Sequence, residues 1–121
     1  MNNFSKKIRP FVELEFGFAK EARCEGDFAG EFSYLENAHV LGQESTVLHV
    51  KAHWMMLCWG FRNSKPMEVF GQIIRLAGAA TKTALGLIPV GNTGGSNVSP
   101  FKAMPLKPEH ADIIESVKNK A

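Results

Sequence analysis

The placement of proline and glycine divides this chain into two textures, and that division limits the folds open to it. Up to about residue 85, apolar side chains recur at helical spacing, with Pro10 and Pro66 at the openings of periodic stretches. From Gly86 to Pro108 the text turns to Gly, Pro, Asn and Ser. Pro89, Pro100, Pro105 and Pro108 forbid a long helix there, because proline lacks an amide hydrogen and clashes with the preceding turn. The chain therefore reads as all-α, with a helical body over about 10–85 and an extended C-terminal segment over 86–121. Its 121 residues fit one domain that can bury a core without staples.

The first helix is expected from about Pro10 to Arg23, with Phe11, Leu14, Phe18, Ala19 and Ala22 as its apolar stripe. Gly26 ends the link, and Asp27 caps a second helix whose stripe is Phe28, Phe32, Leu35 and Ala38. A tight turn at Gly42-Gln43-Glu44-Ser45 leads to a third helix capped by Ser45 or Thr46. That helix is apolar almost all round, through Val47, Leu48, Val50, Trp54, Met55, Met56, Leu57 and Trp59, as suits a central element. The fourth starts at Pro66 and ends near Ala84, with Phe70, Ile73, Ile74 and Ala77 expected inward and Glu68, Gln72, Arg75 and Lys82 outward. A short last helix, Pro108 to Lys118, follows from the recurrence of Ile113, Ile114 and Val117. The short links make the four main helices antiparallel hairpins.

Three of the four histidines, His39, His49 and His53, flank the tight turn. In a hairpin centred near residue 44, positions whose numbers sum to about 88 face each other. That rule sets His39 against His49 and Glu36 against His53. His49 and His53 are four apart and share a face, and Glu36 lies three before His39. His39 and Glu15 each sit at the centre of an apolar stripe, and the turn at Cys24-Glu25-Gly26 brings Glu15 toward Glu36. Five side chains from three helices, Glu15, Glu36, His39, His49 and His53, are thus expected to meet.

A buried carboxylate without a partner is costly and is neutralised by a proton or matched by a cation. Imidazole and carboxylate together suit zinc, iron, manganese, nickel, cobalt or copper better than calcium or magnesium. The Glu-x-x-His device of di-metal bundles occurs once here, so a single ion is expected. A polar network of the same side chains, hydrogen-bonded without an ion, accounts for the pattern equally well. Both readings stay open at this level.

Other chemistries find less support. Cys24 and Cys58 have no CxxC spacing, which fits a reducing, cytosolic compartment. Cys58 lies between Leu57 and Trp59, where a thiol is inert packing. No uninterrupted apolar run follows Lys6, Lys7 and Arg9, which argues against a signal peptide, and no run of ~18 apolar residues suits a membrane span. A net charge of +2, with scattered basic residues, disfavours nucleic acid. Gly91-Asn92-Thr93-Gly94-Gly95 lacks the Gly-Lys-Ser/Thr ending of a phosphate loop and reads as a close turn. His110 follows Pro108 in a charged setting and is expected to be exposed.

Two resemblances follow. Gly26-Asp27-Phe28 through Tyr34-Leu35-Glu36-Asn37-Ala38 resembles the second half of a tetratricopeptide repeat, although Glu31 stands where that repeat wants a small residue. Leu35-Glu36-Asn37-Ala38-His39-Val40-Leu41-Gly42-Gln43, His49-x-x-x-His53-Trp54-x-Met56-Leu57, Gly71-Gln72-Ile73-Ile74-Arg75-Leu76 and Pro89-Val90-Gly91-Asn92-Thr93-Gly94-Gly95 together resemble a family of small bacterial proteins, domain of unknown function 3703. This second likeness covers roughly Phe11 to Leu106 and brings no established activity. Function must therefore come from the residues. The first reading is a cytosolic helical protein that binds one transition-metal ion for storage, sensing, delivery or a small redox step. The alternative is a tetratricopeptide-like module that binds a protein partner and keeps a purely structural His/Glu network.

Leu87, Ile88, Val90, Phe101, Met104 and Leu106 are too apolar for a free linker. The segment is expected to dock along the third or fourth helix, over Trp54, Met55 or Trp59.

Overall fold

The computed structural model describes residues 3–84, 94–95 and 103–119, with side chains in the fourth helix as far as Gly78. Five helices appear in order: α1 (Asn3–Cys24), α2 (Phe28–Gly42), α3 (Thr46–Arg62), α4 (Pro66–Ala84) and α5 (Pro108–Asn119). The fold is all-α, and no strand occurs among the described residues. Successive helices pack as antiparallel hairpins, and α5 lies against α1 and α2. No helix among the described residues is long and apolar enough to cross a membrane.

Helix α1 begins well before Pro10, which lies inside it and exposed. The reason is a stripe that the expected boundary cut in two. Ile8, Val12, Phe16, Ala19 and Ala22 recur at helical spacing and are all buried, so the packing of Ile8 and Val12 outweighs one backbone hydrogen bond lost at the proline. The buried face is accordingly rotated from the expected one, and Leu14 and Phe18 are exposed. Glu15 moves from the centre of the stripe to its edge.

The turns follow their sequence signals. Gly26 takes a φ of 76°, and the Asp27 carboxylate accepts from the Gly30 amide at 2.9 Å. Ser45 caps α3, and its hydroxyl oxygen also accepts from the Ser5 hydroxyl at 2.6 Å, which ties this turn to the start of α1. Leu35, Leu41, Leu48, Ala52 and Met56 join the α1 stripe and Val117 of α5 in one core. A bidentate ion pair crosses from α3 to α2. Arg62 Nη1 and Nη2 donate to Glu31 Oε1 and Oε2 at 3.1 and 2.7 Å, and Glu31 is only 3% exposed.

Helix α4 reverses the orientation expected for it. Gln72 is 0% exposed, whereas Phe70, Ile73 and Ile74 are all more than half exposed. Sequence periodicity shows that a helix has two unlike faces, but which face turns inward depends on what waits there. Here Gln72 meets partners on α3, on α4 itself and in the C-terminal segment, described below.

Leu87, Ile88, Val90 and Phe101 lie outside the described residues. Of the rest of that segment, Gly94 and Gly95 are buried, with the Gly94 carbonyl on Gln72 of α4, whereas residues 104–107 lie along α2. Lys107 Nζ donates to Asn37 Oδ1 at 3.0 Å, and Met104 and Leu106 are half-buried beside Val40.

Candidate metal centre

Helix α2 brings His39 to the α2–α3 interface, and α3 brings His49 and His53 to it one turn apart. All three are buried. Ala38 and Ala52, both fully buried next to them in sequence, keep the surrounding packing slim. The ring centroids lie 4.6 to 4.9 Å from one another. His53 Nε2 stands 3.1 Å from His39 Nε2 and 3.1 Å from His49 Nε2. The three offer ligand atoms that lie within 4.8 Å of one another, and this is the group of metal-ligating type found among the described residues.

The fourth member of the cluster is an amide that sequence reasoning placed in solvent. Gln72 Nε2 donates to Glu68 Oε2 at 2.6 Å and to the Gly94 carbonyl at 2.8 Å, with Met56 Sδ at 3.4 Å. These acceptors fix the orientation of the amide, and its Oε1 then lies 2.6 Å from His53 Nδ1. An amide oxygen only accepts, so His53 Nδ1 carries the hydrogen and Nε2 of the neutral ring presents a lone pair. That lone pair points at the other two imidazoles. One sequence signal was available for this face: a Cβ on Gly60 would come within 2.9 Å of Val69 Cγ2, so α3 and α4 approach closely there. Gln72 follows Val69 by three positions on the same side of α4.

Gly94 closes the cluster from the C-terminal segment. Its φ is 86°, and a Cβ there would lie 2.6 to 2.8 Å from three atoms of the His39 ring, Nε2 among them. Only glycine fits such a contact at such a φ.

The two carboxylates expected in the cluster stand outside that group. Glu15, at the edge of the α1 stripe, accepts from Asn37 Nδ2 at 3.2 Å, while its Oε2 is buried without a hydrogen-bond partner. Burial pushes the Glu15 carboxyl above its ordinary value, against the Asn37 hydrogen bond and the Lys107 charge. Glu36 lines a small cavity of about 150 Å³ together with Asn37, Val40, Met104, Leu106 and His110. The side of α2 that carries Glu36 therefore meets the C-terminal segment, and the side that carries His39 meets α3.

His110, expected in solvent, is buried in this cavity because Met104 and Leu106 fold over α2 beside it. Burial, with Lys107 nearby, holds its pKa below the ordinary 6.5. Its folded-state pKa is depressed, so the unfolded chain takes up the proton first. The resulting loss of stability begins as pH falls through about 6.5 and stops growing below the folded value. Replacement of His110 by glutamine is expected to make the melting temperature fall less between about pH 7.5 and pH 5. Parallel acid limbs for the two proteins would refute this assignment.

These features define an all-helical hairpin protein with three imidazoles gathered at its centre. The chain belongs to the family described as "Protein of unknown function (DUF3703)", which matches residues 6–114. No curated protein and no solved structure matches it.

Proposed function

We propose that this protein binds one transition-metal ion through His39, His49 and His53, and that it serves the storage, sensing or delivery of that ion in a reducing, cytosolic setting. The observation that carries the reading is the Nε2 lone pair of His53 directed at two further Nε2 atoms, each at 3.1 Å. One lone pair receives one well-formed N–H···N bond, so hydrogen bonding among the rings serves one of these contacts and neglects the other. An ion accepts from all three rings. Ligands at 2.0–2.1 Å in a tetrahedral shell stand about 3.3 Å apart, close to the two spacings that meet on His53. Gln72 plays the part expected of a group behind a ligand: it bonds the remote ring nitrogen, fixes the tautomer and links it to the Glu68 carboxylate. Imidazole donors suit zinc, copper, iron, nickel and cobalt.

Elemental analysis of protein purified without chelator or nickel resin tests this directly. Near-stoichiometric metal is the expected result, and metal-free protein whose melting temperature ignores both added ions and chelator would refute it. Gln72→Leu, which leaves the three imidazoles in place but frees His53 to take the other tautomer, is expected to weaken metal binding by about 10–100-fold. Competition against a chromophoric chelator measures that change.

A second reading, the interaction module, draws on an exposed apolar face formed by the end of α3 and by α4. Phe61, Met67, Phe70, Ile73 and Ile74 are all more than half exposed, and a groove of about 550 Å³ runs between Phe61, Pro66, Val69 and Phe70. In that reading the histidines hold only one another and Gln72, and chelator leaves the melting temperature unchanged.

A further inference from the structure

We propose that the metal-loaded protein takes a small monoanion as the fourth ligand of its three-histidine centre, an inference that rests on the metal reading above. Charge is the first ground. Residues 1–2, 79–93, 96–102 and 120–121 contain no His, Cys, Asp or Glu, so every side chain of those types lies among the described residues. The group that can hold an ion consists of three imidazoles and no carboxylate or thiolate. A divalent ion on three neutral ligands keeps both of its positive charges. The carboxylate wired to the cluster is Glu68, which reaches His53 only through Gln72, two hydrogen bonds away. Positive charge left without a counter-charge among side chains 2 to 4% exposed is costly, and an anion bound directly to the metal offsets it.

Geometry is the second ground. His53 Nε2 is 3.1 Å from His39 Nε2 and from His49 Nε2, and the three ligand atoms lie within 4.8 Å of one another. Three imidazoles fill three positions of a tetrahedral shell, so an ion held by them keeps one further position for a ligand. Space then limits what enters. The histidines are buried, and the Gly94 backbone lies against His39 so closely that a Cβ there would be 2.8 Å from Nε2. Anions of a few atoms, such as halide, azide or hydroxide, fit this setting better than larger carboxylates or phosphate esters.

The test uses the full chain loaded with Co(II), whose visible bands report coordination, titrated with sodium azide. The bands are expected to shift saturably, as for one site. By linkage, azide at ten times its dissociation constant should raise Co(II) affinity about tenfold, through the factor 1 + [L]/Kd. Bound Co(II) whose bands and affinity ignore azide would overturn the anion site and leave the metal reading standing. Failure to bind Co(II) or any other transition metal would remove both.

Discussion

Replacement of His53 by alanine is expected to abolish tight metal binding and with it the metal-dependent part of the thermal stability. His53 is the hub of the cluster, because both 3.1 Å contacts and the Gln72 hydrogen bond meet on its ring. An ion that binds only the folded chain adds RT ln(1 + [L]/Kd), which is about 4 kcal/mol when free metal is a thousandfold above Kd. For a domain of this size that corresponds to roughly 15 °C in melting temperature. Differential scanning calorimetry with and without chelator separates this contribution from the packing lost with the ring. Wild-type protein should melt lower in chelator, whereas the His53→Ala protein should melt at one temperature in both buffers. A wild-type transition that chelator does not move would favour the interaction module.

The second large effect lies away from the histidines. Arg62→Ala should destabilise the fold by about 3 kcal/mol, because it strands the Glu31 carboxylate in a site only 3% exposed. The low end of the range for broken buried pairs applies, since the Arg62 side chain is itself 30% exposed and water can reach the gap. Arg62→Lys should recover only part of the loss, as an ammonium cannot make the paired bonds of a guanidinium. Glu31→Gln combined with Arg62→Ala should be less harmful than Arg62→Ala alone, because no buried charge is then left over. Urea midpoints of the four proteins give the comparison, and a single-mutant loss within 0.5 kcal/mol, the usual size for a surface change, would show that the pair is ornamental.

Much of this arrangement is legible in the sequence. Helix ends followed local chemistry, with Asp27 and Ser45 as caps and Gly26 at positive φ, because each acts on backbone groups within a few residues. The meeting of His39, His49 and His53 followed from a short turn and the i, i+4 rule, which are also local. Failures occurred where a choice was made across the interior. Pro10 looked like a helix opening, yet α1 continues back to Asn3 because Ile8 finds core to pack against. His110 looked exposed, yet Met104 and Leu106 fold beside it. Glu15 and Glu36 share helices with core residues and with His39, but each helix turns them toward other neighbours.

The sequence by itself determined the all-α class, the hairpin turns and the grouping of three histidines, since periodicity, capping and turn length operate over one to four residues. Only the tertiary structure decided which face of α4 is inside. That helix has an apolar face and a polar face, and either could have been buried at first sight. Gln72 was drawn inward because one amide there joins His53 Nδ1 of α3, Glu68 Oε2 one turn before it on α4 and the Gly94 carbonyl of the C-terminal segment. An unsatisfied buried polar group costs about as much as a buried apolar side chain returns, so the face that completed the hydrogen bonds went in and Phe70, Ile73 and Ile74 stayed out.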